Sequence, residues 1–570
     1  MSGLITPYGI RSAKAAGFGV FALCGVSVLF FKWKKKSMLK KKALEVKQKL
    51  MLAIQRQLEQ FQNEEADEKE RILVMDAVSL IAAAQNGNID PVIALKAYMY
   101  KACSATKNLN CVTGIIETAE NVAVRLDASQ AKQCLLYGLP VSLKESIETK
   151  GMDSTIGLAQ FIDSPAKDDA VLVKVLKHCG AVPFVKTNLS QMMFSFESSN
   201  PIFGATVNPH NLKFTPGGSS SGEGALIAAG GSLLGFGTDT GGSIRCPAHM
   251  CGVYGFKPSL NRISEKGLKG LPGRIGPIAR DMDTIVLAMR ALLCPLMFEL
   301  DVDVPPLPFN EKVFGSTRKL RIGYYVDDGY NEPAPSIKRG VIMAKEALEK
   351  VGHILVPFTV PRPADAMRLF FAEIFSDGYE GCRNILKYEQ IDPILQRTYM
   401  ISKLPEKLRW IISALMGLKW SRIAQSFYLY GGGDKSVLRL RKLQAEAYAY
   451  KQDFHNAWLN EKLDAVVCPP FVVAAGPLRC LENTPVVMGY TGLYNFLNFP
   501  AGIVPVTKVE QSDIDALRNY RGHYGDPWDK HIKKTSELSL GMPVGVQCVA
   551  LPFQDEMSLR VMKEVQSALS

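Results

Sequence analysis

Gly217 to Arg245, GGSSSGEGALIAAGGSLLGFGTDTGGSIR, restricts the fold more than any other stretch of the chain. Ten of its 29 residues are glycine and five are serine, and only Glu223, Asp239 and Arg245 are charged. Ordering glycine costs more backbone entropy than ordering any other residue. A glycine cluster therefore needs a local reason, either positive φ angles or backbone lying close to a ligand or another chain. A flexible Gly/Ser linker would lack the apolar runs Ala225–Ala229 and Leu233–Phe236, which predict a buried helix and strand. The remaining loops place serine hydroxyls beside open backbone N–H groups. A nucleophile and an oxyanion hole need those two ingredients side by side.

Around this stretch, strand and helix signals alternate. Leu135–Lys144 is a short apolar run ending in a lysine, as in a buried strand. Val171–Leu176, Ala181–Val185 and Glu223–Ala229 continue the alternation, and residues 76–105 read as two helices split at Asn86-Gly-Asn-Ile-Asp-Pro91. Val466-Val-Cys-Pro-Pro, Ala501-Gly-Ile-Val-Pro-Val and Val544–Leu551 add strands, and Asp555–Ala568 a closing helix. The pattern predicts an α/β fold with a parallel or mixed sheet. No fixed-period repeat is present.

The formal charge of +12 is confined to one end. Residues 1–42 hold nine Lys or Arg and no acid, which leaves the other 528 residues nearly neutral. This argues against a nucleic-acid groove. Ala15–Phe31 is free of charge and spans about 26 Å as a helix, close to the roughly 30 Å of a hydrocarbon core. Seven lysines between Lys32 and Lys42 follow it, against Arg11 and Lys14 before it. The positive-inside rule then predicts a transmembrane anchor over 15–33, a non-cytosolic segment 1–14 and a cytosolic remainder. Residues 34–74 read as a basic flank and a solvated spacer helix (43–73), and 75–570 as the catalytic domain. Leu404–Tyr430 interleaves an apolar face (Leu408, Trp410, Ile411, Leu415, Trp420) with Lys403, Lys407, Arg409, Lys419 and Arg422. Such a segment suits a membrane surface. The twelve cysteines contain no CxxC pair and read as reduced thiols.

Three catalytic arrangements are compatible with the Gly/Ser stretch. Gly218-Ser-Ser220-Ser-Gly222 has the G-x-S-x-G pattern, but Asn208–Gly217 before it is loop rather than the strand a nucleophile elbow needs. Ser243 with His249 and an Asp would be a Ser-His-Asp triad, but His249 is only six residues away, whereas triad partners usually come from distant loops. In the third, a desolvated Lys144 serves as base, with Ser219 and Ser243 as relay and nucleophile.

Gly138-Leu-Pro-Val-Ser-Leu-Lys144, Gly217-Gly-Ser-Ser-Ser-Gly222 and Gly237-Thr-Asp-Thr-Gly-Gly-Ser-Ile-Arg245, with Ser243 24 positions after Ser219, resemble the amidase signature family. The resemblance runs from about residue 75 to 570 and is strongest to the membrane-anchored members that hydrolyse fatty acid amides. It implies a mixed, twisted β-sheet surrounded by helices, with cap helices at about 404–430. It assigns Lys144 as base, Ser219 as proton shuttle and Ser243 as nucleophile, with an oxyanion hole from the N–H groups of Thr240, Gly241, Gly242 and Ser243. Met193 is assigned to substrate binding, and Phe194, Phe196 and Phe375, with Met193, to the acyl pocket. Two positions depart from the pattern: Ser221 replaces a common Gly, and Thr240 replaces an Ile.

The expected activity is hydrolysis of long-chain fatty acid amides to free fatty acid and amine, with no metal or organic cofactor. The expected partners are the lipid amide, the bilayer and a second copy of the chain, at the endoplasmic reticulum or another internal membrane. Short-chain or aminoacyl amides, or a non-catalytic membrane adaptor on the same fold, are the alternatives.

Overall fold

Strands such as Ala-Val-Val-Cys at 465–468 and Pro-Val-Gly-Val-Gln-Cys-Val at 543–549 are buried on both faces, so they need a sheet covered on both sides. A computed structural model of the chain contains such a sheet. It describes residues 32–61, 67–126, 132–429, 436–482 and 488–569 in full, and only the backbone of 7–31, 66 and 131.

Among the described residues eleven strands form one sheet. They are β1 (Val112–Ile115), β2 (Pro140–Lys144), β3 (Val182–Thr187), β4 (Leu234–Asp239), β5 (Tyr254–Lys257), β6 (Arg274–Ala279), β7 (Arg321–Tyr324), β8 (Ile354–Pro357), β9 (Ala465–Cys468), β10 (Ala501–Lys508) and β11 (Pro543–Val549). Their spatial order is β1-β3-β2-β4-β6-β5-β10-β11-β9-β7-β8. β2 is parallel to β3 and β4, and β7 is parallel to β8 and β9; all other neighbours are antiparallel. Helices enclose the sheet, as the alternation predicts. A main core joins Ala77–Gln85, Pro91–Leu109, Met282–Leu292 and Asp555–Leu569 to it. A second, aromatic core gathers Phe370, Phe454, Trp458, Tyr494 and Phe499.

The spacer helix is a correction. The helix Pro7–Phe61 does not stand in solvent: Ile54, Leu58 and Phe61 join the main core, and Leu39 and Ala43 pack on Ala159, Ile162, Ile202 and Phe203. Spacings of four and three residues put Ile54, Leu58 and Phe61 on one stripe, and the sheet's flank covers it. A separate helix, Ala66–Leu73, follows. The anchor expected at 15–33 falls within the helix Pro7–Phe61, where only the backbone is described up to residue 31. Among the described residues no helix is long and apolar enough to cross a membrane.

The 404–430 segment forms two helices, Glu406–Gly417 and Ser421–Leu429, joined by a Ser413 Oγ bond to the Ala424 carbonyl at 2.8 Å. Trp410, Leu415 and Leu418 face outward. Arg422 does not: it is buried, donating to Asp526 at 2.6 and 2.8 Å and to Asp529 at 2.5 Å, with its guanidinium over the Tyr524 ring. Its charge therefore bolts the cap to the domain instead of facing lipid. Gly431–Gly433 lie outside the described residues.

Candidate active site

β2 carries Lys144 to its end, where the side chain is wholly buried. The Nζ donates to Ser219 Oγ at 2.8 Å, to Thr238 Oγ1 at 2.8 Å and to the Thr238 carbonyl at 3.5 Å. Burial pushes the amine down to about 7, against the opposing pull of Asp239, Glu223 and Glu145. Thr238 lies near the end of β4, the parallel neighbour of β2, so the sheet brings base and hydroxyl together. Ser219 follows a cis Gly218–Ser219 peptide. A Cβ at Gly218 would lie 2.4 Å from the Glu197 carbonyl oxygen, so only glycine passes there.

The neighbouring serines have other partners. Ser220 is fully buried; its Oγ bonds to the N–H and carbonyl of Thr238, each at 3.3 Å. Its own N–H donates to the Ser243 carbonyl at 3.1 Å, which ties the Ser219 loop to Ser243. Ser221 begins the helix Ser221–Ala228 and donates to the Asn188 carbonyl at 3.3 Å. His249 is occupied at both ring nitrogens: Nδ1 accepts from Gly545 N–H at 3.0 Å and Nε2 faces the Val473 carbonyl at 3.1 Å. Neither the elbow around Ser220 nor the Ser243–His249 pair has the contacts it needs.

Asp239 shapes the loop that carries Ser243. Its carboxylate accepts from Gly242 N–H at 2.7 Å, Ile244 N–H at 3.1 Å, and two Arg245 nitrogens at 2.9 and 3.0 Å. Burial would raise its pKa, but the Arg245 charge and hydrogen bonds outweigh burial and hold the carboxyl well below the usual range. Asn495 donates to Asp239 at 2.9 Å, and Arg245 reaches on to Asn495 and, at 2.7 Å, to Gln547. Gly242 sits at φ +136°, and a Cβ there would meet Thr491 Oγ1 at 2.4 Å. Its N–H is engaged by Asp239. The N–H groups of Thr240, Gly241 and Ser243 have no hydrogen-bond partner among the described residues.

Ser243 is 8 % exposed, and that exposure opens into a cavity of about 100 Å³. Met193, Phe194, Phe196, Phe375, Thr240 and Gly241, all named from the sequence, line it. Met193 also lies 3.7 Å from the Thr238 hydroxyl. A second cavity, of about 120 Å³, shares Phe194, Phe196 and Met488 and extends between the cap and Trp528.

Residues 94–559 match the family described as Amidase. The chain belongs to the amidase family. It is 40% identical over 565 residues to fatty-acid amide hydrolase 1 of Sus scrofa, covering 96% of each chain. It is 38% identical over 510 residues to fatty acid amide hydrolase 1 of Caenorhabditis elegans, covering 87% of this chain and 88% of that one. A solved fatty acid amide hydrolase superposes with a TM-score of 0.76 at 23% identity, covering 94% of this chain and 95% of that one, and so shares its fold.

Within this amidase the two departures from the family pattern are absorbed locally. The Thr240 hydroxyl donates to the Pro272 carbonyl at 2.8 Å, so it is already satisfied and adds no free donor to the cavity. Residues missed by sequence reasoning are Thr238, Thr491, Phe370, Phe371, Ile374 and Met488. Phe370, Phe371 and Ile374 share one side of the helix Pro363–Ile374, and that spacing alone could have marked them. Thr491, which donates to the Gly241 carbonyl at 2.6 Å, carries no comparable signal.

Proposed function

We propose that this amidase cleaves long-chain fatty acid amides through Lys144, Ser219 and Ser243. The observation that carries the reading is the buried Lys144–Ser219 contact beside an aromatic cavity into which Ser243 opens. Neutral Lys144 takes a proton from Ser219, which takes one from Ser243 Oγ. The Ser243 oxygen attacks the amide carbonyl. The N–H groups of Thr240, Gly241 and Ser243 receive the oxyanion, each donor contributing roughly 3 kcal/mol to lowering the barrier, while the Gly242 N–H holds the loop in shape through Asp239. The proton returns through Ser219 to the departing amine, and water then releases the fatty acid by the reverse relay.

The names of the two aligned relatives support a fatty acyl substrate, as do the phenylalanines of the cavity. A long chain in this reading uses both cavities, whose walls share Phe194, Phe196 and Met488. In this reading the anchor at 15–33 and the outward Trp410, Leu415 and Leu418 seat a homodimer on an internal membrane such as the endoplasmic reticulum, catalytic domain toward the cytosol.

Labelling by a fluorophosphonate, followed by peptide mapping, tests the nucleophile: the adduct is expected on Ser243 and absent from Ser243→Ala. An acyl chain-length series tests the substrate. Preference for short acyl groups would overturn the lipid reading, and unaltered hydrolysis by Ser243→Ala would overturn the mechanism.

A further inference from the structure

Glu223 is a buried carboxylate with no part in the steps above. It stands in the helix Ser221–Ala228, directly after the Ser219 loop. Its Oε2 accepts from Ser142 Oγ at 2.6 Å and its Oε1 from Thr187 Oγ1 at 2.8 Å. Both donors mark the row of Lys144. Ser142 lies two residues before Lys144 on β2, so the two side chains share a face. Thr187 is the residue paired with Lys144 across the β2–β3 ladder. The carboxylate fits against bare backbone: a Cβ at Gly235 on β4 would lie 2.0 Å from Glu223 Oε2. Three strands and the helix after Ser219 are thus pinned to one side chain.

We propose that Glu223 is a positioning residue for Lys144, fixing β2 against the Ser219 loop and setting, through its charge, the pH at which the amine becomes a base. The inference rests on Lys144 acting as the base. The charged groups that face Lys144 are Asp239 at the end of β4, Glu223 from the helix and Glu145 next in the chain. Asp239 is neutralised by Arg245, and Glu145 accepts from the N–H groups of Thr155 and Ile156. Among the described residues Glu223 has no cationic hydrogen-bond partner; the buried Cys111 thiol is a further titratable neighbour. Burial pushes the Glu223 carboxyl up to about 7, and the Ser142 and Thr187 hydroxyls and the Lys144 charge act against that rise. A negative Glu223 holds a proton on Lys144, so removing the charge makes the amine a base at lower pH.

The test is the pH dependence of kcat/KM for the full-length enzyme and its variants. The acid limb of Glu223→Gln is expected to move to lower pH by up to about one unit, the scale set by a full charge about two strand residues away at an effective dielectric near 20; a carboxyl raised to about 7 carries only part of that charge at the limb. Ser142→Ala, which removes one donor from the carboxylate, is expected to move the limb in the same direction by less, and it carries the prediction should Glu223→Gln not fold. Loss of rate in both variants with the limb unmoved would overturn the inference. Lys144→Ala separates this from the underlying reading: if that variant keeps the wild-type acid limb, Lys144 is not the base, whatever Glu223 does.

Discussion

Lys144 Nζ lies 2.8 Å from Thr238 Oγ1 and at the same distance from Ser219 Oγ. An ammonium group can donate to both hydroxyls and to the Thr238 carbonyl. The neutral amine has two hydrogens and one lone pair, and the lone pair must turn to a hydroxyl for proton transfer. Thr238 thereby competes with Ser219 and also steadies the amine.

Thr238→Val tests this balance. A hydrogen bond to a charged group contributes about 1.5–3 kcal/mol. Its loss disfavours the ammonium, so the acid limb of the pH–rate profile is expected to shift to lower pH. The orientation of the amine loosens at the same time, and kcat at pH 9 is expected to fall about tenfold. A pH series of steady-state rates reads both effects.

The wild-type enzyme is expected to gain activity as pH rises through about 7, where burial has brought Lys144, and to level off above it. The same burial opposes folding. Between about pH 7 and the ordinary lysine value of 10.5, the unfolded chain holds a proton that the folded chain lacks, so this cost to stability fades as pH rises. Lys144→Met is expected to be inactive yet more stable at pH 7, by about 1–3 kcal/mol after the lost hydrogen bonds are discounted. Urea titration with parallel activity assays measures the trade.

Gly242→Ala places a methyl group 2.4 Å from Thr491 Oγ1 at a backbone angle that alanine rarely adopts. The loop must shift, and the Gly241 and Ser243 N–H groups shift with it. A fall in kcat of at least a hundredfold is expected, with circular dichroism unchanged.

Arg422→Met removes the cap cation that faces Asp526 and Asp529 while leaving those carboxylates buried. Breaking a buried ion pair from one side costs about 3–5 kcal/mol. The expected result is faster limited proteolysis within 404–430 than in wild type, followed by mass spectrometry. Cleavage at the wild-type rate would count against Arg422 as the cap's fastening.

The sheet was legible because its strands are short apolar runs bounded by glycine or proline, as at Val466–Cys468 and Val544–Val549. Lys144 stood out as a lysine ending such a run. Ser219 and Ser243 separated from Ser220 only through their spacing to known motifs. Local composition was silent on what anchors the loop, because Arg245, Asn495 and Gln547 meet across distant segments. The expected membrane-facing run at 404–430 misled in one respect: charge at helical spacing looks alike whether it meets water or, as with Arg422, two buried aspartates. The spacer helix misled similarly, since Ile54, Leu58 and Phe61 are too sparse among Gln, Glu and Lys to announce the surface that covers them.

Arg245 closes its contacts on Gln547, 302 residues downstream. During synthesis at roughly 5–20 residues per second, about 15–60 s separate the two as they leave the ribosome. Throughout that interval the nascent chain already contains Lys144, Ser219 and Ser243, but Arg245 still lacks its last partner. Hydrolytic competence is therefore expected to arrive late, with β11, and an emerging polypeptide stalled before Gln547 should show no burst of fluorophosphonate labelling.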